Sequence, residues 1–580
     1  MRQVKRFRTT SLLAIAVLLH CACASAQSPV DPGKLPGRTA FYLLWRGTPS
    51  GEIRKNNSLF ALWDDPQFAT ARASLMDSFV NDPQNQKGKA TLSREEFEQY
   101  VSLLDNPFVV GYLRQPESHA AKSPTEKTVT PPAWNGMFLI YDRSGKEELL
   151  SKAVLHMRGV EKDIPKLTEL TVADVPALKV ERKSGVTYWA EFGKFAVSAN
   201  EMAVFEEILK VVNGKPASSS LSQSATYQEA KPLLNGGVLE FFLGIPSADQ
   251  LAVDSSNTAA AQLKPLLTAL KLEAIHSLAG HLTLEGARTR VNGAILGDTR
   301  PGGLFDIWAD GQINPVSLSY LPPDTVYYGE SQFNLLGIYG TLKHALASPG
   351  SAAGQTTGPF EKMAETRLGM PLPEALGLVT GEFAWIQTSP TLDDDLKVYL
   401  VGIRNKPDAL KLTRTLMGEQ ISSERSEGDA TYMKISLHGG QGSAGVMQWK
   451  FYYLAMTPTL LFGTSKSDTL HRFVGLTPAN PDSTQWKSLL AARAQYPEKL
   501  NGFSYYDFQK LDWAGLRTKW VAEANKAAQS AKSTEATNNS KKFADWLSQV
   551  NPEVFPRHLH TLSGASWKDA KGVHFDEWLD

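Results

Sequence analysis

The sequence predicts an α+β fold of two structurally similar repeats, each an antiparallel or mixed β-sheet backed by helices. Three observations carry that prediction. The stretch Tyr188–Val212, YWAEFGKFAVSANEMAVFEEILKVV, is echoed 265 positions later by Tyr453–Leu476, YLAMTPTLLFGTSKSDTLHRFVGL. Leu35–Tyr42, LPGRTAFY, is echoed 286 positions later by Leu321–Tyr328, LPPDTVYY. Leu234-Asn235-Gly236 returns as Leu500-Asn501-Gly502 at an offset of 266.

Each copy opens with a proline turn and a strand. Amphipathic helices are expected next, at Ser58–Val80 and Ser93–Leu104 in the first copy and at Leu335–Ala347 and Phe360–Leu376 in the second. A strand and a helix follow, Met137–Tyr141 then Lys146–Met157, answered by Val398–Gly402 then Pro407–Met417. In the second of these Asn405 is the expected cap, with Pro407 and Asp408 in the first turn where both are favoured.

The echoed stretch reads as a hairpin plus a helix. Val186–Ser198 is rich in β-branched and aromatic residues, and Gly193 stands where a tight reversal needs a permissive backbone. After an Asn200 cap, Met202, Phe205, Ile208, Leu209 and Val212 recur at helical spacing. In the second copy Ser465 takes the cap, and Leu470, Phe473 and Val474 take the buried face. A strand from Leu234 to Gly244 and its counterpart Leu500–Phe508 follow. Each copy closes on a strand pair, Leu278–Leu284 with Arg288–Leu296 and Leu562–Trp567 with Val573–Leu579. Ala522–Lys542, rich in Ala, Ser, Thr, Asn and Lys, reads as a solvated helix end and loop that lengthens the second copy. Loops are expected at Gln115–Pro132, Asn213–Thr226 and Ser348–Gly358.

The N-terminus carries Arg2, Lys5, Arg6 and Arg8, then the apolar run Leu12–Leu19, then Ala24-Ser25-Ala26. That order is a secretory signal peptide cleaved after Ala26. The division of the chain follows: signal peptide 1–26, a linker at 27–34, a first repeat at 35–297, a connecting segment at 298–318 and a second repeat at 319–580. Lipid anchoring through Cys21 or Cys23 is disfavoured, because His20 occupies the place where a small residue is wanted. These two are the only cysteines, so the exported chain has no disulfide, thiolate metal site or cysteine nucleophile. Removing residues 1–26 leaves 56 basic against 60 acidic side chains, which is no nucleic-acid footprint. No later run approaches the apolar length of a membrane span. The expected compartment is the periplasm or the extracellular space.

The LPxxT openings, Leu35-Pro36-Gly37-Arg38-Thr39 and Leu321-Pro322-Pro323-Asp324-Thr325, together with the strand, helix, hairpin, helix middle, resemble an uncharacterised bacterial family of exported, internally duplicated proteins, a domain of unknown function. The resemblance covers most of both copies, implies fold and compartment, and brings no catalytic residues.

Motifs that carry chemistry are absent: there is no HExxH helix, GxSxG elbow, GxxxxGK[ST] phosphate loop or calcium loop. His558 and His560 are the only suggestive metal candidates, two apart and so on one face if they lie on a strand, but no third ligand accompanies them and no metal is expected. Asp393-Asp394-Asp395 reads as a hairpin tip, and Glu147-Glu148 as acids suited to a first helical turn. Trp189, Trp385, Trp449, Tyr453 and Trp567 lie on expected strands and either line a binding surface for glycan, lipid or peptide or fill a large core. The expected function is a non-catalytic exported protein that binds or scaffolds an envelope partner, without a cofactor. The alternatives are an extracytoplasmic glycan hydrolase built on scattered carboxylates and a carrier of lipid or another hydrophobic ligand.

Overall fold

The computed structural model describes residues 30–80, 93–114, 136–152, 166–182, 185–217, 219–234, 236–245, 270–300, 303–309, 315–347, 357–441, 447–476, 486–531 and 533–580. The expected signal peptide with Cys21 and Cys23, the loop at Gln115–Pro132 and most of Ser348–Gly358 lie outside these residues. The fold is α+β, with one large antiparallel sheet and helices packed on both of its faces.

The first half contributes β1 (Thr39–Trp45), β2 (Phe108–Leu113), β3 (Met137–Asp142), β4 (Lys166–Val172), β5 (Val175–Arg182), β6 (Gly185–Phe192), β7 (Phe195–Ala199), β8 (Leu239–Gly244), β9 (Ile275–Glu285) and β10 (Arg288–Gly297). The second contributes β11 (Tyr327–Gln332), β12 (Val379–Gln387), β13 (Lys397–Ile403), β14 (Ile421–Glu427), β15 (Ala430–Gln441), β16 (Met447–Met456), β17 (Leu460–Thr464), β18 (Gly502–Asp507), β19 (Thr561–Asp569) and β20 (Gly572–Leu579). Pairing runs β4-β5-β6-β7-β3-β2-β1-β8-β9-β10 through the first half. Through the second it runs β14-β15-β16-β17-β13-β12-β11-β18-β19-β20. The order is the same in both, and β10 pairs with β20, so the two runs meet in a single sheet whose ends are β4 and β14.

One face carries the two main cores. In the first half Tyr42, Leu44, Phe138, Ile140, Val197 and Phe242 pack against the helix Met202–Val212. In the second, Tyr328, Ile386, Leu400, Phe462 and Tyr505 pack against Ser467–Val474 and Lys487–Arg493. Phe205 is 0 % exposed and Leu470 is 2 % exposed, each on the helix that follows its hairpin. Neither helix uses its expected cap: Glu201 and Lys466 occupy the N-cap positions without side-chain bonds, and the Ser465 hydroxyl donates to Asp395 Oδ1 instead. Asn405 does cap, accepting from the Asp408 amide.

Both LPxxT openings make the same turn. Thr39 Oγ1 donates to Pro36 O at 2.6 Å, and Thr325 Oγ1 donates to Pro322 O at 2.6 Å, with Leu35 and Leu321 buried in their cores. The fourth residue of each opening reaches the hairpin helix with opposite charge. Arg38 donates to Glu207 at 2.6 and 2.9 Å in the first half, whereas Asp324 accepts from Arg472 in the second.

At the seam, Arg290 on β10 grips Asp576 on β20 through two bonds of 2.9 and 2.8 Å, and its guanidinium lies 4.6 Å over the Trp578 ring. Asp576 is 4 % exposed, so removing Arg290 strands a buried charge. A second junction corrects the sequence reading of Ala522–Lys542. This stretch belongs to a pair of helices, Trp513–Gln529 and Thr534–Gln549, the second capped by Ser533, and not to a loop. Alanines 524, 528 and 544 are its buried small residues. Val550, Val554 and Trp546 pack with Leu62, Trp63, Phe68 and Ala71 of the first half, and Trp546 Nε1 donates to Ala71 O.

Candidate functional site

The opposite face of the sheet carries a small apolar core in each half, and in the first it is Leu150, Tyr141 and Ala196 with Leu139 and Trp189 packed against them. In the second, the helix Lys406–Met417 lies on β14–β17, and Ile403, Ala409, Met433, Ile435 and Met456 close a small apolar core with Leu410, Leu454 and Leu461. In the first, the region around β4–β6 is an open cleft of about 730 Å³ lined by Glu169 and Thr171 of β4, Pro176 and Leu178 of β5, and Trp189 and Glu191 of β6. Ser151, in the helical stretch 147–152, forms one wall. The register places Glu169, Leu178 and Trp189 in one cross-strand row, since Glu169 opposes Leu178 and Leu178 opposes Trp189. Side chains opposed in this way share a face.

The turn that closes β4 on β5 has Ala173 and Asp174 at φ of 51° and 68°, the two-residue reversal whose twist suits a hairpin. The Trp189 indole is held in place: its Nε1 donates to Glu191 Oε1 at 2.9 Å, and Glu191 Oε2 accepts from Arg143 Nη1 at 3.0 Å. Arg143 is itself tied to the Gly193 carbonyl at the hairpin turn. Both Glu191 oxygens are therefore already engaged as acceptors. Glu169 is exposed and forms no hydrogen bond or ion pair among the described residues. The site thus offers a fixed aromatic plane, apolar walls and one unengaged carboxylate. Such a mix of one aromatic plane, apolar walls and a few polar groups is the usual lining of a small-molecule pocket.

No known family model, curated protein or solved structure matches this chain.

Of the aromatics singled out from sequence, Trp189 alone is found in the cleft. Trp385 stands 5.9 Å from Tyr327, which in turn lies 4.1 Å from Tyr506. Tyr453 packs against the second core, as does Trp567, whose ring stacks on His574 at 5.3 Å. The Trp449 backbone opposes His438, and its side chain lies outside the described set. These residues do not share one surface: alternation along the strands sends them to different faces and different halves.

The histidine pair does not lie on one strand. His558 ends the short helix Phe555–His558 and His560 precedes β19, so the two share no strand face. His558 Nε2 instead meets Asp65 Oδ2 at 2.9 Å across the helical junction, a contact that holds the Asp65 carboxyl below its usual value. His560 is engaged through its backbone, with Phe508 and Asp580. Among the described residues no group of three metal-ligating side chains gathers, and no helix is long and apolar enough to cross a membrane. The acidic run is a fastening, not a bare tip. Asp393 accepts from Lys519, Thr391 and Ser389, which with the lysine foremost hold its carboxyl down at about 2.

A second polar concentration lies within the second core. Glu330 accepts from Tyr328 and, at 2.5 Å, from Arg493, while Glu382 accepts from the Val316 and Ser317 amides. Burial pushes the Glu330 carboxyl up, and Arg493 opposes it. The adjoining cavity of about 10 Å³ has room for one water and none for a substrate.

Sequence reasoning missed Glu169, Leu178 and Glu191. The alternation in Leu170–Val180, LTVADVPALKV, with Ala173-Asp174 at its centre, was the available signal for the β4–β5 hairpin.

Proposed function

We propose that this chain is an exported, non-catalytic binding protein of the bacterial envelope, assembled by internal duplication, and that the Trp189 cleft of its first half holds the ligand. The observation that carries the reading is what stands at matching places in the two halves. Trp189 and Glu191 correspond, at the offset of the echoed stretch, to Leu454 and Met456, which are packed under a helix. Both halves have an apolar core there, but in the first Trp189 stands at its rim, packed beside Leu150, Tyr141 and Ala196, with a cleft on its other side. Duplication is further supported by the shared strand order, the paired LPxxT turns and the charge-exchanged contacts Arg38–Glu207 and Asp324–Arg472.

The test is a thermal-shift screen of small neutral and charged ligands against the purified chain, repeated with Trp189→Ala. A ligand class that raises the melting temperature of the parent and not of the variant supports the reading. Stabilisation that is indifferent to Trp189, or none across the screen, removes it. Export rests on the order of basic, apolar and small residues in 1–26, and N-terminal sequencing of the protein from its host is expected to begin at Gln27. An intact Met1 in the cytoplasmic fraction would overturn that part.

A further inference from the structure

We infer that the ligand of the Trp189 cleft is an organic cation, a guanidinium or ammonium group on an apolar body, seated over Leu178 between the Glu169 carboxylate and the indole. The inference deepens the binding reading and rests on it.

The second half displays the chemistry. Glu169 opposes Leu178, which opposes Trp189; in the same places Glu424 opposes Met433, which opposes Leu454. Glu424 is not left alone. Arg414, on the helix that covers this face, donates to it from Nε at 3.1 Å and from Nη2 at 2.5 Å, a two-pronged grip on the carboxylate. The corresponding carboxylate of the first half, Glu169, faces the open cleft with no cation of this chain against it among the described residues.

The remaining walls suit the same guest. Two strand spacings separate Glu169 from Trp189, roughly 10 Å between backbones, which leaves space for one planar cation above Leu178. An indole face attracts a cation, and this one cannot swing away because Glu191 and Arg143 fix its edge. Leu178 and Pro176 supply the apolar floor for the body of the ligand. An anionic guest would meet Glu169 and Glu191 together, and a neutral one would leave Glu169 unanswered.

The probes are the blocked tripeptide acetyl-Leu-Arg-Leu-amide, its citrulline analogue of the same shape without the charge, and phenylguanidine as a free small cation. Each is titrated by calorimetry into the full chain. The arginine peptide is expected to bind, less tightly as salt is raised, and about fivefold more weakly to Glu169→Gln and to Trp189→Leu. The citrulline peptide is expected to bind at least about tenfold more weakly than its parent, the summed loss of both contacts. Phenylguanidine binding with the same dependence on Glu169 would assign the site to small cations, and its failure beside a bound arginine peptide would assign it to basic polypeptides; both uphold the inference. Citrulline and arginine peptides binding equally, with Trp189→Leu weakening both, would overturn the cation and leave the cleft a binding site. Indifference of the parent chain to every probe and to the neutral ligands of the wider screen would remove the cleft as a site altogether.

Discussion

The first half and the second half solve one packing problem in two ways. Beyond the hairpin that ends at β7, and beyond its counterpart that ends at β17, the strands run out to a free edge with one face still to be covered. The second half covers it with the helix Lys406–Met417, so Met456 is 0 % exposed and Glu424 finds Arg414. In the first half the helical stretch 147–152 covers part of it, with Leu150 buried against Tyr141 and Ala196, and the described residues of β4–β6 line a cleft beside that core, with Trp189 where the second half has Leu454 and Glu191 where it has Met456. The difference teaches that the same strand order can carry a closed apolar face in one half and a cleft in the other. Residues that look arbitrary in one half are explained by what stands at the matching place in the other.

Exchanging side chains across that pair of sites should give the largest effect. Met456→Glu places a carboxylate in a closed apolar core without a partner and is expected to cost more than about 3 kcal/mol in denaturant unfolding. Glu191→Met, in the open cleft, is expected to cost less than about 1 kcal/mol, the loss of two half-exposed hydrogen bonds. Equal costs would mean that the two faces are packed alike, and the comparison would fail.

The charge-exchanged contacts come next. Arg38→Glu sets two acids against each other at the Glu207 helix, and Glu207→Arg in the same chain should restore the pair with opposite polarity. The coupling expected from a double-mutant cycle is about 1 kcal/mol for such a half-exposed pair. A coupling of zero would remove this contact as a sign of common construction.

A smaller effect concerns acid. The hydrogen bond from the Arg414 guanidinium holds the Glu424 carboxyl below the usual glutamate value. A carboxyl lowered in the folded state contributes stability that is present above the unfolded value and is lost as pH falls through the folded one. Arg414→Met should therefore move the Glu424 titration upward, read by carboxyl carbon NMR, and make stability near pH 4 less dependent on acid. A Glu424 titration unmoved by that substitution would break the analogy with a cation seated at Glu169.

The smallest expected change is at the hairpin turns. Ala173 adopts φ 51° where the second half has Gly428 at φ 56°, and only glycine takes that backbone without a Cβ penalty. Ala173→Gly should stabilise by up to about 1 kcal/mol, and Gly428→Ala should destabilise by a similar amount. Opposite signs from these would mean that the turns differ in ways their dihedrals do not reveal.

Much of this architecture was legible because local pattern and long-range packing agree. The hairpin and helix at Tyr188–Val212, the strands at 137–142, 275–285 and 288–297, and the Asn405 cap all follow from alternation, helical spacing and capping chemistry. The hairpin β14–β15 has little local signature, because β14 stands at a sheet edge buried on neither side and shows no contrast of period two, whereas β4–β5 left only the alternation of Leu170–Val180 as its signal. Ile421–Glu427, ISSERSE, is exposed along nearly its whole length. The helices Trp513–Gln529 and Thr534–Gln549 read in part as a loop, since their buried residues include alanines that sit among small polar ones. Within the site, Trp189 was noticed as an aromatic on a strand. Glu169 and Glu191 were not, because an acid on a strand reads as solvent-facing until its neighbours across the strands are known. The meeting of β10 with β20 has no local signature at all.

That meeting bears on how the molecule comes to be folded. Arg290 and Asp576, the two ends of the seam contact, are separated by 286 residues. Until β20 arrives, β10 is a bare strand edge of ten residues, open to pairing with any other exposed strand. Contacts between segments so remote in the chain are reached late and slowly, since loop closure must come before they stabilise anything. The joining of the halves is therefore the step at which folding competes with aggregation, and it is the step at which a chaperone holding the first half would matter most.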